Sequence, residues 1–138
     1  MKIDEQFMKE QANYLNDLIA FKAHPDELDI RDKIGFGDWE YGRLAYVTRK
    51  DVLSVLKRVI DGKLTFKDFY DWAVSISGRS TIGYEKGYRD ILADLLDEMI
   101  MLYESRSANS LLSEFTKEIF QKIQEAKFDA NEEDLDAD

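Results

Sequence analysis

Five carboxylates, Asp90, Asp94, Asp97, Glu98 and Glu104, lie close together in a stretch that reads as a helix, with Met101 among them. At the 100° step of an α-helix they fall within roughly a third of its circumference. Clustered acids can move protons or hold metal ions. A di-metal carboxylate centre needs inward-facing acids from several helices and Glu-x-x-His pairs, and no such pair occurs. Two readings remain. One is a solvated face, on which like charges at i, i+4 slightly disfavour a lone helix. The other is a docking surface for a basic partner, with Met101 as an apolar anchor inside an acidic ring. In the second reading Asp90, Asp94, Asp97, Glu98, Met101 and Glu104 are the partner-binding residues.

No other motif spells out a reaction. The one histidine, His24, precedes Pro25, whereas a zinc site normally needs several His or Cys ligands. The nucleophile-elbow pattern Gly-x-Ser-x-Gly is absent. The run from Gly35 to Gly42 is glycine-rich, but it lacks the Gly-Lys-Ser/Thr end of a phosphate loop and the G-x-G-x-x-G spacing. It reads as a loop whose glycines allow tight turns and whose Trp39 plugs the domain, with a binding role as the other reading. The run Asp129-Ala-Asn-Glu-Glu echoes the start of a calcium loop without the turn glycine or the twelfth-position acid. No catalytic, cofactor-binding or metal-ligating residue is therefore nominated, and a non-enzymatic protein without cofactor is expected.

The elements that must position the acids are helical. Residues 4–22 place Phe7, Tyr14, Leu18 and Phe21 on one face, and His24-Pro25 is expected to end that helix. Residues 26–46 read as a structured connection, interrupted by Gly35, Gly37 and Gly42 and rich in aromatics, with a helical turn near 29–33. Thr48 with Asp51, and Thr65 with Asp68, read as two N-terminal capping pairs, followed by stops at Gly62 and Gly78. They define a two-helix hairpin whose lysines and Arg58 face water. The acid-bearing helix spans about 87–103, with Tyr88, Ile91, Leu92, Leu95, Met99 and Leu102 as its core face. A last helix opens at Ser107 or Asn109 and buries Leu112, Phe115, Ile119 and Ile123. The expected fold is all-α: one domain over residues 1–128, a bundle of about five helices with one irregular aromatic connection, then a disordered acidic tail over 129–138.

Charge and composition narrow the class of partner. The 138 residues carry a net charge of −10, and the last ten hold six acids and no base. Without them the domain has 23 acids against 19 bases, so it is mildly acidic. Direct nucleic-acid binding requires a clustered basic footprint and is not expected; a basic protein partner is compatible. The absence of cysteine excludes disulfides and thiol chemistry. No apolar run approaches the roughly 20 residues of a membrane span, and the N-terminal residues lack the apolar core of a signal peptide. A cytoplasmic protein without membrane partners is expected, its oligomeric state open.

The run Thr48-Arg-Lys-Asp-Val-Leu, then Val59-Ile-Asp-Gly-Lys-Leu-Thr-Phe-Lys-Asp-Phe-Tyr-Asp-Trp-Ala-Val, then Ser77-Gly-Arg-Ser-Thr-Ile-Gly-Tyr-Glu85 resembles small bacterial immunity-type proteins that accompany contact-dependent inhibition and related polymorphic toxins. The resemblance rests on Asp61–Thr65, Asp71–Ala73, Gly78–Arg79 and Ile82–Glu85, ahead of a long helix. It implies a cytoplasmic antidote that binds and blocks a cognate toxin domain without catalysis. A nuclease toxin would suit the charge, because a nuclease needs a basic groove for phosphates. An adaptor or regulatory protein-binding domain is the alternative, and a small enzyme or ligand-binding protein with a pocket near residues 35–46 is the third.

Overall fold

The computed structural model describes residues 4–131. Helix α1 spans Glu5–Ile19 and is capped by the Asp4 carboxylate, which accepts from the Gln6 N–H. It ends earlier than expected. Ala20 closes it, Phe21 turns the chain with φ +49°, and the Pro25 that was expected to stop it instead opens a second helix. Proline suits that place because the first helical residue has no intrahelical use for its N–H. Helix α2 is the single turn Pro25–Leu28, extended by a 3-10 turn over Asp29–Arg31. The connection continues through a 3-10 turn at Trp39–Tyr41. The Trp39 side chain, expected as a plug, lies outside the described residues.

Both capping pairs form as expected. Helix α3, Arg49–Ile60, starts on the Thr48/Asp51 box, and helix α4, Phe66–Ile76, on the Thr65/Asp68 box. In each, the threonine hydroxyl accepts from the third-residue N–H and the aspartate accepts from the cap N–H, satisfying two donors that a helix start leaves free. Helix α5 spans Arg89–Glu104 and helix α6 spans Asn109–Gln124. The fold is mostly α-helical, with six helices among the described residues.

One feature departs from an all-α chain. Strands β1, Ala45–Val47, and β2, Ile82–Tyr84, pair in parallel with Ala45 opposite Ile82 and Val47 opposite Tyr84. Parallel neighbours need a long crossover, and the α3–α4 hairpin is that crossover. The pairing ties the irregular connection to the Ser77–Glu85 run: the Leu44 N–H donates to Thr81 O at 2.7 Å, the Ser80 N–H to Phe36 O at 2.8 Å, and the Glu85 N–H to Val47 O at 2.7 Å.

The core joins all the longer helices. Tyr14, Leu15 and Leu18 of α1 meet Phe69, Trp72 and Ile76 of α4, Leu92, Leu96 and Met99 of α5, and Ile119 and Ile123 of α6. Burying each such side chain contributes about 1.5–3 kcal/mol. Of the hairpin helices, α3 packs chiefly on α6, and α4 on α5. That second pairing positions the acidic face.

Candidate functional site: the α4–α5 face

Helix α5 buries Leu92, Leu95, Leu96 and Met99 and leaves Asp90, Asp94, Asp97, Glu98, Met101 and Glu104 exposed. All six nominated side chains therefore lie on accessible surface. At 1.5 Å per residue they extend over about 21 Å of helix. Met101 is 67% exposed, high for an unbranched apolar side chain with carboxylates on either side.

The acids are not equivalent. Asp97 Oδ1 accepts from the Ser77 hydroxyl at 3.1 Å, and Glu104 Oε2 accepts from the Tyr70 hydroxyl at 2.9 Å. Asp90 accepts from the neighbouring Arg89 Nε at 3.3 Å. The Asp94 and Glu98 side chains make no hydrogen bond or ion pair among the described residues. The free negative charge of the face is thus concentrated between its two ends.

The Ser77 and Tyr70 bonds set the register of α4 against α5. The helices run antiparallel, so α4 adds its own strip, Tyr70, Val74 and Ser77 at i, i+4 and i+7, alongside Glu104, Met101 and Asp97. Val74 is 40% exposed and sits between the two tethered ends, as Met101 does on α5. The surface is consequently a two-helix ridge that exposes Met101 and Val74 and carries its carboxylates along α5. Tyr70 and Val74 were not nominated from sequence. Their spacing carries the signal, but only the antiparallel docking of α4 on α5 places that strip beside the acids. The Tyr70 and Tyr103 rings stack with centroids 4.6 Å apart, and the bond to Glu104 raises the Tyr70 hydroxyl pKa.

Polar pairs hold Arg79 and Glu85 of the Ser77–Glu85 run in place. Arg79 Nη1 donates to Asp32 Oδ2 at 3.0 Å, its Nε donates to Ser75 O at 2.8 Å, and its guanidinium lies 3.9 Å from the Phe36 ring centroid. Burial opposes ionisation of Asp32, yet N–H bonds from Gly35 and Ile34 and the Arg79 guanidinium hold its carboxyl below the ordinary value. Glu85 takes two side-chain bonds from Arg49, at 2.9 and 3.0 Å, and a third from the Arg49 N–H. Those bonds depress the Glu85 pKa against the effect of burial. Tyr84, the last residue of β2, is pushed up to about 12, first by burial and then by the Asp97 charge.

His24 is structural here. Its Nδ1 accepts from the Asp26 N–H at 3.1 Å and so caps α2; its Nε2, which must then carry the proton, donates to Asp71 Oδ2 at 2.9 Å. Lys67 Nζ donates to the same Asp71 oxygen at 2.9 Å. Among the described residues no group of three or more His, Cys, Asp or Glu side chains is arranged to hold a metal ion, and no helix is long and apolar enough to cross a membrane. Of the hairpin cations, Lys57 pairs with Asp61 and Lys67 with Asp71, whereas Arg58, expected to face water, donates to Phe21 O at 3.0 Å and braces the end of α1.

Comparison of the chain with family models, with curated proteins and with solved structures gave no match.

Proposed function

We propose that this chain is a non-catalytic immunity protein that neutralises a basic toxin domain by binding it through the α4–α5 ridge. One observation carries the reading: exposed apolar side chains, Met101 on α5 and Val74 on the helix docked against it, accompany a stripe of carboxylates along α5, and both helices bury their other sides in the core. Such a surface has an anchor that gains from desolvation and a charge field that attracts a cationic partner. The resemblance of residues 48–85 to immunity-type proteins points to a toxin as that partner. A nuclease is the toxin class whose chemistry fits, because its phosphate groove must be basic and an acidic inhibitor can cover it. The cytoplasm is the compartment in which such an antidote would act.

The test uses the C-terminal domain encoded by the gene immediately upstream, co-expressed with this protein. Co-purification is expected. Reversal of the two unengaged acids, Asp94→Lys with Glu98→Lys, should slow association by about tenfold or more at low salt. Met101→Ala should act mainly on dissociation. A double reversal that folds and associates at the parent rate would remove the ridge from the interface.

A further inference from the structure

Where α5 turns into α6, a surface groove of about 580 Å³ is lined by Tyr70, Tyr103, Glu104, Arg106 and Asn109, among others. We propose that this groove receives an arginine side chain of the basic partner. The proposal rests on the docking reading above and names the subsite at one end of the ridge.

Three observations converge on a guanidinium. The first is the wall itself. Two stacked tyrosine rings stand beside a carboxylate whose Oε2 is fixed by the Tyr70 hydroxyl and whose Oε1 accepts no hydrogen bond among the described residues. A planar cation that stacks and donates at once fits that pairing better than an ammonium. The second is the helix end. The groove sits at the C-terminus of α5, which carries partial negative charge, and α5 has no basic residue in its last turn. The third is a filled counterpart in the same molecule. Arg49 lies 3.7 Å from the Tyr88 ring centroid and donates twice to Glu85, so a tyrosine face beside a glutamate is a combination this chain already uses to hold arginine. At Tyr103 and Glu104 the same two groups are present without that guanidinium.

Arg106 is the competing occupant. It turns the chain with φ +60°, lines the groove, and makes no ion pair among the described residues.

The probe is a short peptide, Gly-Arg-Gly amide, titrated into the protein while the tyrosine ring resonances are followed by NMR; Gly-Lys-Gly amide is the control. The Tyr70 and Tyr103 signals should move saturably with the arginine peptide and several-fold less with the lysine peptide. Glu104→Gln should weaken the arginine response about tenfold, the scale of one hydrogen bond to a charged group. Arg106→Gln should leave it equal or stronger. Asp94→Lys with Glu98→Lys should weaken it far less than Glu104→Gln does while still slowing the toxin domain, so the groove and the ridge can fail separately. Three results would overturn the proposal: no saturable shift, an equal response to lysine, or a response that emerges only in Arg106→Gln, which would make Arg106 the native occupant.

Discussion

Asp32 and Arg79, 47 residues apart in sequence, form an ion pair at 3.0 Å in which the arginine side chain is 2% exposed and the aspartate 13%. This pair fastens the irregular connection to the turn between α4 and β2. Asp32 also gathers the N–H groups of Ile34 and Gly35. Removing one member leaves the other charged and without its partner. Arg79→Ala should cost about 3–5 kcal/mol in urea unfolding. Adding Asp32→Asn to that variant should recover about 1 kcal/mol or more, because it removes the stranded charge. Purely additive losses would mean that the pair is not coupled.

Trp72 joins α4 to the end of α1. Its indole N–H donates to Leu18 O at 3.0 Å and Ile19 O at 3.2 Å, and the ring is fully buried. Trp72→Ala should cost about 3–5 kcal/mol. Trp72→Phe keeps part of the volume and loses the donor, so about 1–2 kcal/mol is expected. Amide exchange near the end of α1 should quicken in both. A stable, soluble Trp72→Ala protein would refute this packing.

The chain after α6 folds back over the start of α5. A Cβ at Gly87 would lie 2.2 Å from the Phe128 ring, the Gly87 φ is +87°, and the Asp129 N–H donates to Gly87 O at 2.9 Å. Gly87→Ala should therefore cost about 1–3 kcal/mol. Adding Phe128→Ala should relieve the clash but not the backbone strain, so recovery will be partial. Ending the chain after Phe128 removes one backbone bond among the described residues and should cost no more than about 1 kcal/mol. Residues 132–138 of the expected acidic tail lie outside the described residues.

Acid should loosen the fold through Glu85 and Asp32. Both carboxyls titrate below their ordinary values, 4.5 and 3.8, in the folded chain. The stability they contribute is present above those values and is lost as pH falls through the lowered folded ones. Unfolding midpoints measured from about pH 6 to about pH 3 should fall. Glu85→Gln should start lower and show a shallower fall, because the group that titrates is gone. An unchanged slope would assign the acid sensitivity elsewhere.

Local signals were legible in the sequence by itself. The Thr48/Asp51 and Thr65/Asp68 boxes, the apolar periodicity of α5 and the stripe from Asp90 to Glu104 are all written within a few residues, because caps and helix faces depend on neighbours at i+3 and i+4. Pairings across the chain needed the tertiary structure. The β1–β2 ladder joins two three-residue strands too short to show an alternating pattern, and only their pairing makes them strands. The Asp32–Arg79 and His24–Asp71 contacts each join residues 47 positions apart. The ridge divides in the same way. Its acids follow from helical spacing, but the companion strip of Tyr70 and Val74, the tethering of Asp97 and Glu104, and the freedom of Asp94 and Glu98 follow from how α4 docks against α5. Helix docking is decided by shape and burial between segments distant in sequence, which local spacing does not encode.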